Sequence, residues 1–230
     1  MGNGTQYKLV IFDLDGTLID SKLDLAHSVN ATRTSMGLQP LSHELIYSYV
    51  GNGAPVLIRR ALGSEASDSD VERALEFFLA YYREHKLDYT TLYPGVEEVL
   101  TTLRAADMAL AVLTNKPFQI SREILDGLQV SQHFFQVYGG NSFETKKPDP
   151  AGIQALLKES GVAAEGALMV GDSSVDIQTA RNAGVTSVGC TWGFQPDSLV
   201  TTPPDHLIEN MTELLRITGE SSVTDSNAII

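Results

Sequence analysis

The chain has 230 residues, 43% hydrophobic and 20% charged, an ordinary globular composition that can bury a sizeable core in one or two domains. Its 16 Lys and Arg against 29 Asp and Glu leave a formal net charge of −13, which repels a phosphate backbone and argues against nucleic acid as a partner. The same charge repels small anions, so a site for one needs local positive charge from a metal, Lys, Arg or backbone N–H groups.

No apolar run reaches the ~20 residues that span a bilayer, so no membrane partner is expected. Met1-Gly2-Asn3-Gly4-Thr5-Gln6 has neither the charged and apolar regions of a secretion signal nor the Ser or Thr of a myristoylation site. Cys190 stands alone, which rules out an intramolecular disulfide and fits a reducing cytoplasm. With no partner His suggested nearby, it reads as a buried structural thiol.

Leu9-Val10-Ile11-Phe12 is a short apolar run ending in Asp13-Leu14-Asp15-Gly16, a buried strand running into a turn. Residues from about Ser21 to Lys86 read as helices. Gly37 closes the first, Ser42 can cap the second, Pro55 opens the third and Gly63 ends it. Ser69-Asp70-Val71-Glu72 has the pattern of a capping box. Val71, Ala74, Leu75, Phe78, Leu79 and Tyr82 then form one apolar face.

From about Leu92, helices and strands alternate. Helix Val96–Arg104 precedes strand Ala109–Leu113, and helix Phe118–Leu128 precedes a strand near Val137-Tyr138. Helix Pro150–Ser160 precedes strand Ala167–Val170, helix Val175–Asn182 precedes strand Ser187–Cys190, and a last helix covers Met211–Ile217. This alternation predicts an α/β fold, a doubly wound, mostly parallel Rossmann-like sheet. The first strand needs that sheet, so the helical block is an insertion after strand 1. The expected division is an α/β core at 1–20 and 88–218, a helical insert at 21–87 and a mobile tail at 219–230.

Ligands of such sheets bind at the carboxyl ends of the strands, where the polar residues of this chain collect. Asp13 and Asp15 follow strand 1. Thr114, Asn115 and Lys116 follow the next, Lys146-Lys147-Pro148 lies beyond the third, and Gly171-Asp172, with Asp176 four residues on, follows the fourth. Carboxylates at i and i+2 of an extended segment point the same way, and close like charges need a cation or a proton between them. Asp172, and Asp176 if it joins, make the cluster one for a hard divalent cation; oxygen ligands suit Mg²⁺ better than Zn²⁺. Thr114 and Lys147 add a hydroxyl and a cation for an anion with tetrahedral oxygens. Singly, each has a plain structural reading: turn acids, a capping Thr-Asn pair, a surface lysine, and an Asp favoured by a helix dipole.

Phe12-Asp13-Leu14-Asp15-Gly16-Thr17-Leu18, followed by Asp20-Ser21, resembles the first signature of the haloacid dehalogenase-like phosphohydrolases. Leu113-Thr114-Asn115 is similar to their second, Lys147-Pro148 to their third and Gly171-Asp172-Ser173-Ser174-Val175-Asp176 to their fourth, in order over residues 9 to about 190. The resemblance implies a phosphatase acting on a small phosphate ester. Asp13 would be the nucleophile and Asp15 the general acid and base. Thr114 and Lys147 would hold the phosphoryl oxygens. Mg²⁺ would sit on Asp13, the Asp15 backbone carbonyl and Asp172, with Asp176 orienting the metal's water shell or Lys147. Adjacency to Pro148 favours Lys147 over Lys146.

The helical insert resembles the family's small cap, and the segment from Val50 to Leu62 is similar to that of bacterial phosphoglycolate phosphatases. That implies 2-phosphoglycolate as substrate, with Asn115 at the substrate; the turn Gly51-Asn52-Gly53, whose glycines allow close approach to the free N–H groups of the helix that follows, is expected to face the site and receive the carboxylate. Arg59 and Arg60 are either solvated or steer the anion, and Trp192 and Phe194 either pack in the core or line the rim. His27, His43, His85, His133 and His206 show no metal-ligand spacing. Competing readings are a mutase or a phosphatase for a sugar phosphate or other metabolite, and a non-catalytic phosphate-binding regulator. A dehalogenase has no need of the acid Asp15, and a phosphonate hydrolase needs a Schiff-base lysine, for which Lys22 and Lys86 are candidates by position only, while the Asp13-Leu14-Asp15 pattern favours ester chemistry.

Overall fold

A computed structural model describes residues 6–220. The strands are β1 (Leu9–Phe12), β2 (Ile19–Asp20), β3 (Thr91–Leu92), β4 (Ala109–Leu113), β5 (Gln136–Tyr138), β6 (Ala167–Gly171), β7 (Thr186–Cys190) and β8 (His206–Ile208). Six form one sheet in the order β5-β4-β1-β6-β7-β8, with every neighbouring pair parallel. The apolar run at Leu9 therefore becomes an inner strand, with all four residues buried, as expected when both faces of a sheet are covered.

Successive residues of β1 serve opposite faces. Val10 and Phe12 pack in one cluster with Val99, Leu100 and Leu214, and with Ile120 and Ile124. Leu9 and Ile11 pack in the other with Ile153, Leu156 and Ala180. The helices of the first face are α5 (Val96–Ala105), α6 (Phe118–Gly127) and α10 (Leu214–Thr218). Those of the second are α7 (Ala151–Ser160) and α8 (Ser174–Ala183). This is the doubly wound arrangement expected from the alternation.

Between β2 and β3 lie α1 (Lys22–Ser35), α2 (His43–Tyr47), α3 (Ala54–Leu62) and α4 (Asp68–His85). β2 and β3 pair antiparallel, Ile19 with Leu92 and Asp20 with Thr91, so chain leaving for the helices and chain returning run side by side. Buried Asp24 reinforces this junction. Its carboxylate accepts from the Tyr89 and Thr90 amides and from Thr90 Oγ1, at 2.7–3.1 Å. Gly53 caps α3 at φ 86°, a conformation that suits glycine.

Several local expectations change. The capping box belongs to Ser67, not Ser69. Ser67 is extended, its hydroxyl accepts from the Asp70 amide, and Asp70 reaches back to the Ser67 amide, so α4 starts two residues before the pattern read from Ser69. The final helix divides into a 3₁₀ turn at Met211–Glu213 and α10. β2, β3, β8 and the short helix α9 (Ser198–Thr201) are too short to show a period. Of the expected tail, residues 221–230 lie outside the described residues.

Candidate active site

The sheet register brings the polar residues together. Phe12 pairs with Val112 on one side and Val170 on the other, so the residues that follow these strands emerge at one edge. The Asp13 amide still donates to Val170 O at 2.9 Å, and the Thr114 amide to Tyr138 O at 2.9 Å. Both side chains are thus fixed by the ends of the ladder.

Asp13, Asp172 and Asp176 each bring a carboxylate oxygen to within 4.8 Å of the others. Lys147 Nζ lies 2.8 Å from Asp13 Oδ1 and 2.6 Å from Asp176 Oδ1. Asp176 uses its other oxygen at the start of α8, accepting from Ser173 N and Oγ. Asp172 accepts from the Phe194 amide at 2.6 Å and the Gln195 amide at 3.3 Å. Lys146 is turned away, with Nζ 3.0 Å from Asn52 O; the lysine at the acids is Lys147.

The acids suit a divalent cation. Burial, then the charges of Asp176 and Asp13, push the Asp172 carboxyl up to about 8. Burial also raises Asp13, to about 6, with Lys147 pulling against it. Burial opposes the charge on Lys147, but Asp13 and Asp176 outweigh it and the net shift is upward. One lysine among three buried carboxylates leaves negative charge uncompensated, and an all-oxygen site is the donor set of Mg²⁺. A Cβ at Gly16 or Gly193 would overlap the Asp172 carboxylate, so glycine at both positions keeps that side clear.

Asp15 faces elsewhere. Its carboxylate accepts from Ser21 Oγ at 2.5 Å and from Lys116 Nζ at 2.8 and 3.0 Å. Lys116 also donates to Tyr82 Oη at 2.6 Å, and so joins the acid to α4. Burial and the Lys116 charge act in opposite senses on the Tyr82 phenol, which ends up at about 12. Lys116 carries no distinct signal in the sequence beyond standing two residues from Thr114 at a strand end, the spacing that marks Asp15, and the helical period of α4 marks Tyr82 only as core.

A cavity lies between this edge and the helical insert, with an empty volume of about 670 Å³ counted out to its open mouth. Asp13, Asp15, Thr114, Asn115, Lys116, Asp172, Phe194 and Gln195 line it from the sheet side. Gly51, Gly53, Leu57, Phe78, Leu79 and Tyr82 line it from the insert. The turn from Gly51 to Gly53 does face the sheet edge, but with carbonyl oxygens. Asn115 Nδ2 donates to Gly51 O at 3.2 Å and to Lys147 O at 3.1 Å, Lys146 donates to Asn52 O, and Gln195 donates to Val50 O. Gln195 carried no sequence signal, because nothing marks a loop glutamine as a partner of a turn 145 residues away.

Trp192 and Phe194 both pack on the core; Phe194 also lines the cavity, while the Trp192 indole N–H lies 3.3 Å from Thr17 O. Arg59 pairs with Asp68, and Arg60 donates to Tyr49 O; neither lines the cavity. Lys22 donates to Gly193 O over the Phe194 ring, and Lys86 pairs with Glu123; neither is among the residues that line the cavity. Cys190 is buried.

A family model described as haloacid dehalogenase-like hydrolase matches residues 10–190. A Pseudomonas fluorescens protein named phosphoglycolate phosphatase is 40% identical over 215 residues, covering 90% of this chain and 78% of that one. A Vibrio parahaemolyticus protein of the same name is 38% identical over 222 residues, 94% of this chain and 97% of that one. The crystal structure of a predicted phosphoglycolate phosphatase from Haemophilus somnus matches with a TM-score of 0.88 at 36% identity, over 93% of this chain and 99% of that one. The chain belongs to the haloacid dehalogenase-like hydrolase family.

Proposed function

We propose that this enzyme, a phosphoric monoester hydrolase, converts 2-phosphoglycolate to glycolate and phosphate through an aspartyl-phosphate at Asp13, with Mg²⁺ as cofactor. The observation that carries the reading is the convergence of Asp13, Lys147, Asp172 and Asp176 at one sheet edge, with Asp15 held separately beside the cavity. The names of the similar proteins support the substrate.

Asp13 attacks phosphorus as the ester bond breaks, and Asp15 gives a proton to the departing alkoxide. Asp15 then takes a proton from water, which attacks the aspartyl-phosphate and releases phosphate and free Asp13. Thr114 and Lys147 hold the phosphoryl oxygens as charge shifts onto them. Asp13, Asp172 and the Asp15 backbone carbonyl would hold Mg²⁺, with Asp176 supporting through Lys147; the ion supplies charge compensation at the phosphate.

Residues 21–87 act as the cap and residues 1–20 and 88–218 as the catalytic core. Asn115 and the Gly51-Asn52-Gly53 turn close the leaving-group end of the cavity. No helix among the described residues is long and apolar enough to cross a membrane, and we place the enzyme in the cytoplasm on the evidence of its single thiol. The partner is a small phosphate ester, not nucleic acid. The test is kcat/KM over a panel of metabolite phosphates with Mg²⁺. Phosphoglycolate should lead the panel; a sugar phosphate turned over better would overturn the substrate assignment.

A further inference from the structure

Lys116 stands out among the cavity residues. Among the described residues that line the cavity it is the one cation. Its side chain is 4% exposed, and its ammonium is shared between Asp15 and Tyr82 Oη, 4.5 Å from the Tyr82 ring centroid. Lys147 lies at the phosphoryl end, paired with Asp13 and Asp176. The insert side offers Leu57, Phe78 and Leu79, and the nearby turn presents carbonyl oxygens to the sheet edge. A carboxylate buried there without a cation would be strongly disfavoured.

We propose that Lys116 is the specificity-determining residue, its ammonium pairing with a carboxylate that the leaving group carries next to the ester oxygen. The proposal deepens the phosphoglycolate reading and rests on it. In phosphoglycolate a single methylene separates the ester oxygen from the carboxylate carbon. A donor for the carboxylate must therefore stand beside the donor for the ester oxygen, and Lys116 Nζ stands 2.8 Å from Asp15 Oδ1. Asp15 meets the ammonium with both oxygens; once Asp15 carries the proton that it gives to the ester oxygen, the ammonium loses that counter-charge and the ligand carboxylate takes its place. Tyr82 holds the ammonium from the insert side, which makes the subsite complete only when insert and sheet edge are together.

The test compares phosphoglycolate with ethyl phosphate, which has the same ester oxygen but no carboxylate. Lys116→Met should lower kcat/KM on both, because Lys116 also holds Asp15. The loss on phosphoglycolate should exceed that on ethyl phosphate by about 10- to 100-fold, the range for a hydrogen bond to a charged group. Inhibition by glycolate should weaken in parallel. Equal losses on the two substrates would show that Lys116 only positions Asp15 and would overturn the proposal while leaving the phosphoglycolate reading intact. A wild-type enzyme with no preference for phosphoglycolate over ethyl phosphate would overturn that reading and this proposal with it. If Lys116→Met does not fold, Lys116→Gln, which keeps a donor without the charge, is read by the same ratio.

Discussion

Asp13 and Asp15 are two residues apart and chemically alike, yet their surroundings differ. Asp13 sits among acids with Lys147, while Asp15 sits between Ser21 and Lys116. That asymmetry fits one as nucleophile and the other as proton carrier. Asp13→Asn should abolish turnover. Asp15→Asn should slow it by about 10²–10⁴, the usual worth of general acid–base catalysis, and more for poor leaving groups than for good ones. Steady-state kinetics on a series of aryl phosphates checks this, and equal losses across the series would remove Asp15 as the acid. These acids and Thr114 are legible in the sequence because each follows an apolar run that ends at one edge, whereas Lys147 sits in a polar loop and is legible only from its adjacency to Pro148 and the family resemblance. The Asp15–Lys116–Tyr82 contact is not, because it joins residues from three separate elements whose approach only packing determines.

At the scale of elements, the insert meets the sheet edge through carbonyls of the turn before α3. A hydrogen bond of this kind contributes about 0.5–1.5 kcal/mol, so Gln195→Ala should raise KM for carboxylated and uncarboxylated esters alike by about 2- to 10-fold. A loss confined to phosphoglycolate would instead mean that Gln195 contacts its carboxylate. Gly53 bears on the same contact, since a Cβ there would stand 3.2 Å from both Asn115 O and Lys146 Nζ. Gly53→Val should therefore hurt both substrates together, whereas the carboxylate role first read for this turn requires a selective loss. At the junction of the insert, Asp24→Ala strands the buried Thr90 amide and should cost about 1–3 kcal/mol of stability, measurable by denaturant unfolding. The helices and main strands are legible from their periods. The β2–β3 ribbon, the Asp24 junction and β8 are not: β8 has three residues with two exposed, and the others depend on pairing between distant segments.

For the whole molecule, the buried acids link metal, pH and stability. Asp172 is raised from the ordinary 3.8 to about 8, and Asp13 to about 6. The folded state thus binds more protons than the unfolded state across that interval, and the sign of the linkage makes metal-free stability fall as pH rises through it. Tm without metal should drop between pH values of about 4 and 8, and the gain in Tm from added Mg²⁺ should grow over the same range. A gain independent of pH would mean that the ion does not sit on these acids. Chelation should likewise abolish turnover and Mg²⁺ restore it. The most direct test of an aspartyl-phosphate at Asp13 is rapid quenching of the enzyme with ³²P-labelled phosphoglycolate and Mg²⁺, followed by mapping of the labelled peptide. Transient label should appear on Asp13, be released by hydroxylamine and be absent from Asp13→Asn; steady turnover with no label on Asp13, or with label on another residue, would exclude Asp13 as the nucleophile.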